Sequence, residues 1–408
     1  MRRVVISGLG AVSSLGHDIP AHLDALQTGR SGTSLISSFD ADWLYTKVGA
    51  EAGEIDFDRA VSRSEQRHLD RHSLLALYAA AEAVEDAAFD ASQDGPRCGV
   101  ILGTGMGPGE TIDSAIAGVH LEQRKPRPTT IPRCMFNAPT GHLSIKYGLR
   151  GPSQMIVTAC ASSAHALGQA FEFIRRGQAD AFLAGGTETF PPRALMAAWD
   201  TLRVMSTAND RPEAASRPFS ADRDGFVMGE AAAVLVLESE ERAKARGARI
   251  YAEITGVGLS SDAHHITQPQ TDGLELAMRN ALADAQLQPE DVDYINAHGT
   301  ATPINDPLET AAIKSVFGDH ARRLAVSSTK SAHGHTIGAA GALETVATVL
   351  GMHHGFLPAT LNLHEPDPEC DLDYVPLEPR AASFDVALSN SFAFGGHNVT
   401  LAFRLYRG

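Results

Sequence analysis

The chain has 408 residues, 43% of them hydrophobic, 37 of them glycine and only 6% aromatic; that is enough to bury a large core and too much for one small domain, so two domains or one duplicated unit is expected. A formal net charge of −15 excludes a nucleic-acid partner, because neutralising phosphates takes a surplus of Lys and Arg. The four cysteines are far apart with no CxxC pair, the start shows no secretory pattern and the apolar runs are too short to span a bilayer, so the expectation is a cytoplasmic protein with free thiols and no membrane contact.

In chain order, RRVVISGLGAVSSLG (2–16) predicts a buried strand and a glycine turn. Gly8 and Gly10 suggest a dinucleotide loop, but Ser13 stands where that fingerprint needs its third glycine. The apolar spacing of residues 66–89 predicts a helix, and RCGVILGTGMGPG (97–109) a strand running into glycines. Residues 140–160 predict a short helix, a Gly-rich turn and a strand. From Cys160 to Gly177 the pattern is helical, with Leu167, Ala170, Phe171 and Ile174 on one face and Gly177 as a C-terminal cap. ADAFLAGGTE (179–188) and AAAVLVLES (231–239) are further strands, and residues 239–248 a charged helix end.

The order then starts again. RIYAEITGVGLSS (249–261) repeats the first strand, VDYINAHGTAT (292–302) the second, residues 324–355 the block around Cys160, and VALSNSFAFGGHN (386–398) the strand at 179–188. In this alignment His335 takes the place of Cys160. Strand–helix alternation repeated with insertions predicts an α/β fold of two halves, 1–249 and 250–408, packed tightly because no low-complexity linker joins them.

A cysteine where a strand becomes a helix sits at the positive end of the helix dipole, where free N–H groups stabilise a thiolate or an oxyanion. Small neighbours let a thioester approach Cys160; a buried structural cysteine is the alternative, and this block alone leaves both open. The second half tips the balance by placing His298 and His335 in Gly- and Ala-rich turns. No Hx₃H or HExxH spacing joins these histidines, the HxH of His333 and His335 is a weak metal signal, and zinc would quench the nucleophile, so no metal is expected.

The blocks TACASSAH, NAHGTATPINDPLE, KSAHGHTIGAAGALE and SNSFAFGGHN, with GLRGPS, AGGTE and SRPFSADRDGFVMGEAAAVLVLE between them, together resemble the elongating β-ketoacyl-acyl-carrier-protein synthases over essentially the whole chain. The resemblance implies a thiolase fold, two βαβαβαββ halves stacked as five αβαβα layers, the first carrying the nucleophilic cysteine and the second the two histidines. It implies an acyltransferase with no cofactor of its own, taking substrates from the phosphopantetheine of an acyl carrier protein and pairing as a homodimer or with a chain-length-factor-like homologue. Carried over by position, the nucleophile is Cys160, the histidines His298 and His335, the lysine Lys330, paired with Glu344 to orient the His335 loop, and the gating aromatic Phe394 beside Gly395 and Gly396. Thr300 and Thr302 match pantetheine-contacting hydroxyls, Met106 the limit of acyl-pocket depth, and the N–H groups of Cys160 and Phe394 the oxyanion hole. An acidic carrier needs a basic surface, for which the candidates are Arg63, Arg67, His68 and Arg71, then Arg124, Lys125 and Arg127, and Arg203.

The chain departs from the housekeeping pattern at the gate, where Ala393 replaces a glycine and His397 a threonine, and at Trp199, where a smaller aromatic is common. These differences imply a specialised synthase making polyenes or other reduced type II polyketides, with fatty-acid elongation as the rival. A chain-length factor lacks the cysteine, priming enzymes use an Asn in place of one histidine, and thiolases need a second catalytic cysteine, which Cys370 in EPDPECDLD does not supply.

Overall fold

The computed structural model describes residues 1–92 and 94–408. Its main sheet has ten strands: β1 (Val4–Ser13), β2 (Cys98–Gly103), β3 (Ser153–Ile156), β4 (Ala181–Glu188), β5 (Ala231–Ser239), β6 (Ala252–Ser261), β7 (Tyr294–Asn296), β8 (Ala325–Ser327), β9 (Val386–Ala393) and β10 (His397–Leu405). The helices that position the site are α1 (Arg71–Asp86), α2 (Ala138–Tyr147), α3 (Ser162–Arg175), α4 (Arg193–Thr201), α5 (Thr271–Ala285), α6 (Asn305–Phe317) and α7 (Ala340–His354).

The first five strands lie in the order β3-β2-β4-β5-β1 and the last five in the order β8-β7-β9-β10-β6, which is the same order in half-chain terms. β1 and β6 join them through three antiparallel pairs, Val4–Ile254 to Ile6–Ala252. The expected repeat ended at the strand 386–398; β10 follows it as the counterpart of β5 and completes the second five.

Side chains that alternate along the strands fill three apolar layers. On β5, Ala232, Val234 and Val236 meet α1, while Ala233, Leu235 and Leu237 face a central layer. That central layer holds Leu167 of α3, Val346 of α7 and Leu401 of β10. The third layer, between the second five strands and α5 and α6, is built on Leu274, Ile313 and Leu388. The order is helices, strands, the α3–α7 pair, strands, helices, which is the five-layer thiolase arrangement.

Gly8 and Gly10 do not form a turn; they lie inside β1 where α1 crosses it. A Cβ would sit 2.4 Å from the Ala83 carbonyl at Gly8 and 2.0 Å from the Ala79 carbonyl at Gly10. Gly256 and Gly258 do the same on β6, where a Cβ at Gly258 would meet the Ala277 carbonyl of α5 at 1.9 Å. The glycine pairs exist so that a helix can lie against a strand.

Candidate active site

Cys160 sits in a short 3₁₀ turn, Ala159–Ala161, between β3 and α3. The turn needs Ala159 at φ +49° and is tied by Ser162, whose hydroxyl accepts from the Thr158 N–H at 2.8 Å and lies 3.0 Å from the Thr104 carbonyl. In the second half the same turn is Ile337–Ala339, with Ile337 at φ +41°, leading into α7. Matched at their positive-φ residues, Ala159 and Ile337, the turns make Gly338, not His335 as expected, the counterpart of Cys160; His335 lies three residues earlier.

His335 reaches the sulfur nonetheless, with Nε2 3.1 Å from Cys160 Sγ. Its backbone holds it there: the N–H donates to the Val227 carbonyl at 2.7 Å and the carbonyl accepts from the Gly229 N–H at 2.9 Å. His298 follows β7, its ring 5.4 Å from that of His335 and nearly perpendicular to it. Donor atoms of Cys160, His298 and His335 all lie within 4.8 Å of one another.

Lys330 is buried and paired with Glu344, and its ammonium donates to the His298 carbonyl at 2.6 Å and lies 3.3 Å from His298 Nδ1. The lysine therefore orients His298 rather than the His335 loop, a second correction. An ammonium beside Nδ1 makes that nitrogen the acceptor and leaves the proton on Nε2. Glu309 of α6 fixes the other side of the loop, accepting from the N–H groups of His298 and Gly299, each at 2.8 Å.

Burial first, and the Lys330 charge second, hold both histidines well below the ordinary imidazole range, so both are neutral at pH 7. Burial pushes the Cys160 thiol up to about 12, with Lys330 pulling the other way. The resting sulfur is a thiol, and His335 is the acceptor within reach of its proton. A dication on this Cys/His₂ set would face the Lys330 ammonium where metal-bound histidines have a carboxylate or carbonyl. His333 turns away, bonding to the Gly334 carbonyl at 2.8 Å and to Thr329 at 3.0 Å.

The three side chains open into a cavity of about 380 Å³ that Thr300, Thr302, Phe394 and Gly396 also line. The Thr300 and Thr302 hydroxyls are 3.0 Å apart. Phe394 stacks on Trp199, with centroids 6.1 Å apart and planes 23° apart. The gate backbone is tied to the facing loop through the Gly395 N–H, which donates to the Ile266 carbonyl at 2.7 Å. Met106 stands behind Trp199, its sulfur accepting from the indole N–H at 3.2 Å, and is not in the cavity wall. Trp199, not Met106, bounds the cavity.

Comparisons with known proteins give the family. The N-terminal domain of β-ketoacyl synthase matches residues 1–243, and its C-terminal domain residues 251–364. The chain belongs to the β-ketoacyl synthase family. It is 46% identical to 3-oxoacyl-[acyl-carrier-protein] synthase 2 of Coxiella burnetii over 98% of both chains. The ishigamide ketosynthase/chain length factor has the same fold, with a TM-score of 0.94 and 34% identity over the whole of both chains. AntDE:AntF, a type II polyketide-synthase acyl carrier protein in complex with its ketosynthase, matches with a TM-score of 0.91 and 32% identity over 99% of this chain and all of that one. The protein is thus a ketosynthase, an acyltransferase.

Of the ketosynthase's basic candidates, only Arg203 reaches the cavity mouth, where its guanidinium lies 3.2 Å from the centroid of the Tyr45 ring. Arg71 is not a surface charge: its Nε donates to buried Glu230 at 2.6 Å. Arg63 pairs with Asp58 and Arg124 with Glu122, each at 2.8 Å. Arg67, His68, Lys125 and Arg127 are exposed and carry no ion pair among the described residues. No helix among the described residues is long and apolar enough to cross a membrane.

Sequence reasoning passed over three residues that build the site. Ser162 and Glu309 lie inside quoted motifs but were given no role. Glu188, at the end of AGGTE, is buried at the junction of the halves, and burial pushes its carboxyl up to about 7 against the pull of several N–H donors. A carboxylate that follows seven apolar or small strand residues was the signal available.

Proposed function

We propose that this ketosynthase catalyses the decarboxylative Claisen condensation of malonyl-acyl carrier protein with an acyl group held on Cys160. One observation carries the reading: a thiol and two neutral imidazoles, donor atoms within 4.8 Å, share the inner wall of a cavity whose mouth is lined by hydroxyls and Arg203.

In the first half-reaction His335 Nε2 takes the thiol proton as Sγ attacks the thioester carbonyl of the acyl carrier. The N–H groups of Cys160 and Phe394 receive the oxyanion; losing one such donor costs about 3–4 kcal/mol of transition-state stabilisation. The carrier's thiolate leaves and takes the proton from His335. In the second, Nε2–H of His298 donates to the thioester oxygen of the malonyl group, and His335 joins it after its ring proton has exchanged through water from Nδ1 to Nε2. Carbon dioxide departs and leaves an enolate, whose carbon attacks the acyl-Cys160 carbonyl. The thioester bond to Cys160 breaks, the sulfur takes a proton from water, and a β-ketoacyl carrier two carbons longer is released. The chain has its own model of the oxyanion contact: the N–H of Gly338, the counterpart of Cys160, donates to the Glu188 carboxylate at 2.9 Å.

We assign the enzyme to a specialised type II pathway that handles polyenes or reduced polyketides. Trp199 stacked on Phe394 gives the cavity flat aromatic walls, which suit a planar unsaturated chain. The likeness to AntDE:AntF, a type II polyketide-synthase ketosynthase with its acyl carrier protein, supports the polyketide side of the reading. The rival is fatty-acid elongation, favoured by the likeness to the Coxiella synthase 2. Saturated and polyunsaturated acyl carriers offered in competition separate the two: preferential loading of the polyunsaturated chain on Cys160, read by intact-protein mass spectrometry, is the expected result. Absence of any adduct refutes the catalytic reading.

The reading includes a cytoplasmic enzyme that works on an acyl carrier protein and pairs with a second copy or a cysteine-less homologue. Edge strand β3 is partly exposed and ends beside Val157, 51% exposed, whereas the opposite edge strand β8 is buried. An open strand edge with apolar side chains is a template for a second chain.

A further inference from the structure

The two turns that mirror each other are not equally filled. Next to Gly338 lies the carboxylate of Glu188, fully buried at the end of β4. One oxygen accepts from the Gly338 N–H at 2.9 Å and the Gly105 N–H at 2.5 Å. The other accepts from the Met106 N–H at 3.0 Å and the Thr104 hydroxyl at 3.2 Å. Four donors from two loops, one in each half, converge on one side chain.

The loops meet at van der Waals contact. A Cβ on Gly338 would lie 2.1 Å from the Gly105 nitrogen, and one on Gly105 would lie 2.6 Å from the Ile337 side chain. With no room for side chains between them, Glu188 is the polar tie between the backbones. Each loop carries an apolar side chain, Met106 on one and Ile337 on the other, that packs in the same cluster as Cys160 and Trp199. Ile337 also lines the cavity, held at φ +41°, a conformation a β-branched residue adopts only under constraint.

We propose that Glu188 is a positioning residue for acyl-chain selection: its carboxylate locks the Met106 loop, which backs Trp199, to the Ile337–Gly338 turn, and so holds Trp199 and Ile337 as the wall against which the acyl chain on Cys160 is measured. The proposal rests on the acyl-transfer reading above. Removing the lock lets Ile337, and through Met106 the Trp199 ring, yield, so discrimination between short and long chains relaxes while the chemistry at Cys160 and His335 persists.

The test is the ratio of kcat/KM for Cys160 acylation by a long and a short saturated acyl carrier, in the full-length enzyme, with thermal unfolding followed in parallel. Glu188→Gln keeps the size but sets an amide NH₂ against the N–H donors; the ratio is expected to move towards unity by about fivefold. A purely structural role lowers both substrates alike and leaves the ratio within twofold, which overturns the proposal. Ile337→Val leaves the carboxylate in place and trims the side chain it positions; it must shift the ratio in the same sense, and an unchanged ratio there overturns the proposal even where Glu188→Gln does not fold. Acylation of the wild-type enzyme separates the two claims, since its absence defeats the acyl-transfer reading rather than the role of Glu188.

Discussion

The turn Thr158–Ala161 and the turn Thr336–Ala339 share one backbone: a residue at positive φ, a single 3₁₀ turn, then a long helix. The first carries a sulfur facing a cavity. The second carries Gly338, pressed against Gly105 with its N–H held by Glu188. The strand that ends in Glu188 in the first half ends in Ala393 in the second, beside Cys160. One turn is filled by an internal carboxylate, and the other has a methyl group there and opens on the cavity. On the proposed mechanism the duplication supplies two equivalent N–H turns, and the side chain at one strand end decides which is left for the oxyanion.

The sharpest way to break this comparison is to make the open turn resemble the filled one. Cys160→Gly is expected to abolish the acyl adduct and lower condensation on the order of 10⁴-fold with an unchanged melting temperature, because the sister turn already accepts glycine. Intact-protein mass spectrometry and calorimetry check both halves of that statement. His298→Ala comes next. It should leave Cys160 acylation in place and slow malonyl decarboxylation on the order of 10²-fold, read by release of labelled carbon dioxide.

The filled turn has its own support in His72, whose Nε2 lies 3.1 Å from the Thr104 hydroxyl. Burial pushes His72 down to about 3. Its folded value is below the unfolded value of about 6.5, so the unfolded chain binds the proton first. The stability this neutral ring contributes is complete above pH 6.5 and is lost as the pH falls from there towards 3. Between pH 7.5 and 5 the wild type should therefore lose about 2 kcal/mol relative to His72→Gln in urea unfolding. The smallest effect belongs to the rim. Neutralising Arg67 and Arg203 together should raise KM for carrier-protein substrates by roughly threefold to tenfold at low salt, with the difference gone at high salt. A KM that ignores both charge and salt removes these residues from the docking surface.

Much of this was legible in one dimension, for reasons that differ by residue. Cys160, His298 and His335 stand out because reactive side chains sit among glycines and alanines where a strand meets a helix. The strand–helix alternation showed the duplication, since apolar periodicity is a local property. Errors arose where the partner lies far along the chain. Lys330 was aimed at the His335 loop and serves His298; Met106 was expected to end the pocket and stands behind Trp199; Arg71 looked like a surface charge and is committed to Glu230. Glu188 drew no notice, because a carboxylate at a strand end reads as solvated until the other half covers it.

By itself the sequence determined which segments become strands and helices, that they occur twice, and which side chains carry chemistry. Those features follow from residue type and spacing over a few turns of chain. Only the tertiary structure decided which turn stays open, which imidazole the lysine holds and which aromatic closes the cavity. Each of those depends on contacts between residues more than thirty positions apart, which packing creates and no local pattern encodes.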